Sequence, residues 1–258
     1  MYAVDLKGKT GLIFGVANHR SIAWSIAKLL DSAGLKLALV YQNERLKDTV
    51  SGLAAELNNP ILIQCDVTDD SQLERTFRTI KDEFGSLSVV IHSIAFANRE
   101  DLGGAFSETG RDGFRTALEI SSYSLLPIAK LAAPLMSQYG GSITAMTFLA
   151  SEKVFPGYNI MGTAKAALEN SVRQLASEFG PNGIRVNAIS AGPVDTLSSR
   201  VISNYRDMKK IHLERAPLQR SVTQDDVAKT ALFLCSDLSS GITGATIPVD
   251  AGYSIMGI

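Results

Sequence analysis

Short apolar runs alternate with stretches of helical periodicity along almost the whole chain, and few folds satisfy that pattern. Residues 10–14 form an apolar run that stops at Gly15 and reads as a buried strand. Residues 21–33 then place Ile22, Ile26, Leu29 and Leu30 at helical spacing, with Gly34 as a stop. Further strands are predicted at 37–41, 61–64, 87–93, 142–147, 185–189 and 246–250. Helices are predicted over 46–57, 72–84, 113–136, 164–179 and 224–234. The helical region 113–136 carries Pro127 and Pro134. Repeated strand–helix–strand units with strands apolar on both faces imply an α/β fold: a doubly wound parallel sheet of about seven strands with helices on both faces. At 258 residues the chain is long for one domain but within reach of one such unit, so residues 1–258 are read as a single domain. Residues 194–220 break the alternation and are polar, as expected of a lid over a substrate.

Composition removes several function classes. The net charge of −1 gives no bulk attraction to nucleic acid or to an anionic membrane. No apolar run approaches the ~20 residues of a membrane span, and the first residues lack the apolar core of a signal peptide. Cys65 and Cys235 are too few for a disulfide framework and sit in apolar surroundings, as expected of buried reduced thiols in a cytoplasmic protein. His19, His92 and His212 are widely scattered, so no metal site is expected.

The turn after the first strand, Gly15-Val-Ala-Asn-His-Arg-Ser21-Ile22, lies where a doubly wound sheet meets the pyrophosphate of a dinucleotide. Gly15 permits close backbone approach, and Ser21 can cap the following helix and offer its hydroxyl to phosphate. The full glycine fingerprint is missing, and an ordinary strand-to-helix turn with a serine cap also fits. Past the second strand, Gln42 is placed to bond the ribose, while Glu44 and Arg45 argue in opposite directions about a 2′-phosphate. The balance favours NADH, with NADPH possible. Asp66 and Val67, after the third strand, fit the adenine edge, although an aspartate there also fits a helix cap that Asp69 or Ser71 could supply instead.

Tyr158 and Lys165 stand seven residues apart. If both lie on one helix, seven steps of about 100° return Lys165 to within roughly 20° of Tyr158, so both would face one cleft. A phenol can hydrogen-bond a developing oxyanion, and a nearby ammonium stabilises the phenolate and can hold a ribose. A tyrosine at a helix start with a surface lysine further on fits the same residues.

The sequence resembles the NAD(P)H-dependent enoyl-[acyl-carrier-protein] reductases of bacterial type, a divergent branch of the short-chain dehydrogenase/reductase superfamily with a Rossmann-type fold. The resemblance spans nearly the whole chain. It rests on Gly15-x5-Ser21-Ile22-Ala23, Tyr41-Gln42-Asn43-Glu44, Cys65-Asp66-Val67 and His92-Ser93-Ile94-Ala95-Phe96-Ala97. Later pieces are Tyr158-Asn-Ile-Met-Gly-x-Ala-Lys165, Arg185-Val-Asn-Ala-Ile-Ser-Ala-Gly-Pro193 and Val249-Asp-Ala-Gly-Tyr-Ser-Ile-Met-Gly257. The resemblance implies that Gly15, Ser21 and Ile22 hold the pyrophosphate and nearby ribose, Gln42 the adenosine end, and Asp66 and Val67 the adenine. It further implies that Ile94 lies against the cofactor, that Lys165 binds the nicotinamide ribose, and that Val194, Thr196 and Ser198 wrap the nicotinamide. Ala97 and Phe148 would lie beside the acyl thioester, and Tyr158 would hydrogen-bond its carbonyl. An acyl-carrier-protein-linked enoyl substrate, a role in fatty-acid elongation and a homotetramer follow from the same likeness.

Common short-chain dehydrogenases place the tyrosine four before the lysine and a serine about thirteen before the tyrosine. Met161 and Ala145 occupy those positions, which disfavours a carbonyl or hydroxyl dehydrogenase. Two departures from the reductase pattern motivate a weakly active cofactor-binding homologue as an alternative. Phe148 stands where the family has a second tyrosine, and Asp195 where it has an arginine.

Overall fold

The computed structural model describes residues 4–197, 199 and 205–257. Its seven strands are β1 (Thr10–Phe14), β2 (Lys36–Tyr41), β3 (Ile61–Gln64), β4 (Val89–His92), β5 (Gly141–Thr147), β6 (Ile184–Ala191) and β7 (Thr246–Val249). They form one sheet in the order β3-β2-β1-β4-β5-β6-β7, and every neighbouring pair is parallel. The expected doubly wound sheet is what forms.

Eight α-helices accompany these strands among the described residues: α1 (Ile22–Ser32), α2 (Glu44–Ala54), α3 (Asp70–Phe84), α4 (Arg111–Leu118), α5 (Leu125–Met136), α6 (Ile160–Phe179), α7 (Tyr205–Arg215) and α8 (Gln224–Cys235). Two apolar cores lie on opposite faces of the sheet. Ile13, Leu37, Leu39 and Ile91 pack with Ile26 and Leu30 of α1 and Val227 and Leu234 of α8. Leu12, Phe14, Val40 and Val90 pack with Leu73 and Phe77 of α3, Ile128 of α5 and Leu168 of α6. Successive strand residues point to opposite faces, and both faces are covered at the centre of the sheet, so β1, β2 and β4 are largely apolar runs rather than alternating ones.

The chain winds outward from β1 through β2 to β3, then returns to the other side of β1 to make β4. Ligands of such sheets bind beyond the strand C-termini at this reversal. Phe14 pairs with His92, so β1 and β4 end level with each other and their loops meet.

Three expectations change on contact with the tertiary structure. The helical region 113–136 is not continuous: α4 gives way to a π-helical turn at Glu119–Tyr123, and α5 begins afterwards. Pro127 then falls in the first turn of α5, where its missing N–H costs no helical bond. Helix α6 starts four residues earlier than expected, at Ile160. Within 194–220 a helix, α7, forms although its sequence is too polar to show a clear apolar stripe.

Candidate active site

The site is assembled around the β1–β4 crevice. At Gly15 φ is +98°, and an added Cβ would lie 2.0 Å from the carbonyl oxygen of Ser93. Only glycine fits both the left-handed backbone and this contact between the loops that follow β1 and β4. Ser21 does not cap α1 through its side chain, contrary to expectation. Its Oγ instead accepts from the backbone N–H groups of Ala17 (3.2 Å) and Asn18 (3.1 Å). Arg20 N–H donates to Asn18 Oδ1 at 2.8 Å, which stiffens the same loop. The first-turn N–H groups at Ile22 and Ala23 have no helical acceptor by geometry, and the positive end of the α1 dipole favours an anion there.

Across β2 and β3, Gln42 Nε2 lies 3.4 Å from Asp66 Oδ2. Asp66 does not cap α3; Asp69 does, accepting from Ser71 N–H and Gln72 N–H. Asp66 Oδ1 instead accepts from the backbone and hydroxyl of Thr68 at 3.0 and 2.8 Å. Val67 packs at the edge of the core beside it. Lys47 is held by Glu44 at 2.7 Å, so that part of the basic cluster is paired within its own helix.

At the other end, Lys165 is 3% exposed. Its ammonium donates to the Met146 carbonyl at 2.8 Å and lies 3.4 Å from the Ile94 carbonyl. Burial holds its pKa down to about 8, against the opposing pull of Glu169 one turn along α6. Glu169 Oε1 accepts from Thr147 Oγ1 at 2.6 Å. Behind the lysine, His92 is fully buried with Nε2 2.8 Å from Ser124 Oγ. The Ser124 hydroxyl already donates to Ile120 O at 2.7 Å, so the His92 proton sits on Nε2 and Nδ1 is left without a partner. Burial, then the charge of Lys165, pushes His92 down to about 3.

Tyr158 and Lys165 do not share a helix, which corrects the spacing argument. Tyr158 precedes α6, and Asn159 between them adopts φ +38°, its side-chain amide donating to Gly103 O at 2.7 Å. The two side chains are brought into the region of the β4 and β5 ends by the turn and the sheet, not by helical period. Tyr158 meets Phe148 edge-on, ring centroids 5.1 Å apart, and burial raises its phenol well above the ordinary range. Phe148 follows directly from the end of β5. Ala97 lies in the half-buried segment after β4, anchored where Phe96 N–H donates to Ser121 Oγ of the π turn at 2.9 Å.

Beyond β6, Val194 is buried, and Thr196 and Ser199 exchange backbone-to-hydroxyl bonds at 3.0 Å. Ser198 lies outside the described residues. Asp195 stands at the surface 4.0 Å from Lys209 Nζ of α7, a placement that softens the charge change noted in the sequence. Gln224 Nε2 donates to both Asp195 O and Arg20 O, at 3.0 and 3.1 Å, tying the β1 loop to the β6 loop. Among the described residues no cluster of His, Cys, Asp and Glu has metal-holding geometry, and no helix is long and apolar enough to cross a membrane.

Sequence reasoning gave no role to His92 with Ser124, Ser121, Glu169 or Gln224. Each is a polar residue whose partner is distant in sequence, and no spacing rule marks such pairs. A histidine at the end of an otherwise apolar strand was the available signal for His92.

A parallel doubly wound sheet, a glycine-only contact at its reversal point, and a buried lysine and a tyrosine that each contact the C-terminal end of β5 or the residue after it define a dinucleotide-dependent oxidoreductase of the short-chain dehydrogenase/reductase class. Residues 15–254 match the family model described as Enoyl-(Acyl carrier protein) reductase. A Nostoc protein named Enoyl-[acyl-carrier-protein] reductase [NADH] FabI is 50% identical over 99% of this chain and 100% of its own. A Staphylococcus aureus protein named as the NADPH form is 49% identical, over 97% and 98%. The Bacillus cereus enoyl-acyl carrier protein reductase, solved with NADP+ and an indole naphthyridinone, superposes with a TM-score of 0.96 at 49% identity, covering 98% of this chain and all of that one. The chain belongs to the enoyl-(acyl carrier protein) reductase family.

Proposed function

We propose that this protein reduces the C2=C3 double bond of trans-2-enoyl thioesters carried on acyl carrier protein, using NADH and, less readily, NADPH. The residues present suit a dinucleotide. Gly15 lets the loop after β1 close against the Ser93 carbonyl, and the free N–H groups of the first turn of α1 suit a pyrophosphate. Gln42 and Asp66 form a joint polar edge for the adenosine end. The cofactor, when bound, supplies the hydride that adds at C3.

The observation that carries the reading is Lys165. An ammonium has three donor protons, and the Met146 and Ile94 carbonyls engage two of them. The third is left for a ribose hydroxyl, while the positive charge lowers the energy of an oxyanion nearby. Tyr158, whose raised pKa keeps it protonated, donates a hydrogen bond to the thioester carbonyl as negative charge gathers on that oxygen. The enolate left by hydride addition at C3 is then protonated at C2. Ile94, Val194 and Thr196 wall the nicotinamide end, and Ala97 and Phe148 wall the acyl side. Residues 194–220, with α7 at their centre, form the lid of a single domain.

A homotetramer in the cytoplasm completes the reading. Phe106, Phe114, Tyr123 and Leu126 expose apolar surface around α4 and α5, as a subunit contact needs. Cys65 and Cys235 are free and buried.

The test is loss of absorbance at 340 nm with enoyl thioesters of several chain lengths, NADH and NADPH in parallel. Turnover with NADH is expected. A 3-oxoacyl substrate reduced faster than any enoyl substrate would reverse the assignment, and no turnover with either nucleotide would remove it.

A further inference from the structure

A continuous line of ring contacts runs from α7 to Tyr158. His212 of α7 is 3% exposed and stacks on Tyr253, centroids 4.9 Å apart and planes 26° apart. Tyr253 faces Phe155 at 6.4 Å, Phe155 meets Phe148 at 4.7 Å, and Phe148 meets Tyr158 at 5.1 Å. The rings come from α7, from the turn after β7, and from the segment between β5 and α6. His212, Tyr253, Phe155 and Phe148, with Gly192 and Met208, also enclose one small cavity.

The turn that carries Tyr253 is rigid and is fastened to the end of α7. Asp250 accepts from Gly252 N–H at 2.9 Å and Ser254 N–H at 2.8 Å. Ala251 and Gly252 both take positive φ, +57° and +86°. A Cβ on Gly252 would lie 3.0 Å from the ring of Pro217, two residues past α7. Leu218 N–H donates to Ala251 O at 3.2 Å. Tyr253 is therefore held from behind and pressed between α7 on one side and Phe155 on the other.

We propose that Tyr253 is a positioning residue, whose ring couples the seating of α7 to the orientation of the Tyr158 phenol through Phe155 and Phe148. The inference rests on Tyr158 as the oxyanion donor. Its other half, the attachment of α7 to the tail, does not. Each ring contact shifts an equilibrium only about 2- to 12-fold. The phenol amplifies that small effect, because a misplacement of about 1 Å at a reacting group can cost about 100-fold in rate.

Four variants of the full-length protein test it: Tyr253→Phe and His212→Phe keep a ring, while Tyr253→Leu and His212→Leu remove one. Two quantities are measured: kcat with KM for nucleotide and thioester, and the rate of trypsin cleavage at Lys209, Lys210 and Arg215 of α7. The leucine variants are expected to lose kcat about 10-fold, with nucleotide KM within about twofold, and to be cleaved about 3- to 10-fold faster. The phenylalanine variants are expected to stay within about twofold of the parent in both readouts. Phenylalanine variants as impaired as leucine variants would overturn the proposal, as would leucine variants that match the parent or that lose activity with no change in cleavage. If Tyr253→Leu fails to fold, judged by circular dichroism, the His212 pair decides. A parent protein that reduces no enoyl thioester would end the proposed function and with it the coupling to Tyr158, and the cleavage arm would then decide only the attachment of α7 to the tail.

Discussion

The two ends of the crevice are built by opposite means. At the phosphate end the hydrogen bonds that shape each loop are short-range and made by backbone or small polar groups, and the longer links, Gln42 to Asp66 and Gln224 to Arg20, join one loop to another element. Ser21 Oγ takes N–H groups three and four residues away, and Asp66 Oδ1 takes the N–H and the hydroxyl of Thr68, two residues on. At the reaction end the partners are distant. Lys165 reaches Ile94 across 71 positions, His92 reaches Ser124 across 32, and Ser121 reaches Phe96 across 25. The electrostatics divide in the same way. Lys165 and His92 are pushed down and Tyr158 is pushed up, so burial drives all three toward their neutral forms. A local motif can hold an anion on backbone dipoles, but a tuned lysine needs a folded interior around it.

The sharpest way to break this comparison is to remove the buried charge. Lys165→Met is expected to lower kcat/KM about 10²- to 10³-fold, in line with loss of one preorganised oxyanion-stabilising group. A change under about tenfold would show that the reaction end does not depend on its interior ammonium. At the phosphate end, Gly15→Ala should act through the fold: strained φ and the overlap with Ser93 O are expected to cost about 2–4 kcal/mol. Urea denaturation of the apoprotein measures this, and an unchanged midpoint would show that the two loops are free to separate.

The two ends should also differ in pH response. Lys165 is charged below about pH 8 and neutral above it. Then kcat/KM should hold up to about pH 8 and fall about tenfold per further unit. Binding of ADP, which reaches the phosphate end without the nicotinamide ribose, should by calorimetry change far less across the same range. Parallel losses in the two would merge the ends into one titrating unit. The smallest effect is expected from Phe148→Tyr, which adds a hydroxyl beside the phenol: a change in kcat within about threefold, because Tyr158 already supplies the donor. A rise well above tenfold would mean that a single phenol is insufficient here and would favour the weakly active homologue.

The same division explains how much was legible beforehand. All seven strands could be read beforehand, most plainly runs such as Leu12-Ile-Phe14 and Val89-Val-Ile91, because central strands buried on both faces leave an unbroken apolar signature. The π turn and the restart at Leu125 left no such mark; helical period persists across both, and the break shows only in the hydrogen bonding. Helix α7 was missed because its polar sequence hides His212, a buried residue that stacks on the tail rather than on a helical neighbour. Asp69 and Asp66 were equally good caps on paper, and only the geometry gave the role to Asp69 and left Asp66 beside Gln42.

Hydrophobic periodicity and glycine placement by themselves determined the sheet, its winding and the position of the crevice, since those follow from which residues must leave water and where the backbone must turn. The tertiary structure alone decided that Tyr158 sits outside α6, that Lys165 is stripped of water, and that rings from three separated segments meet. Burial and long-range contact depend on what the rest of the chain places overhead, and spacing along a sequence carries no record of it.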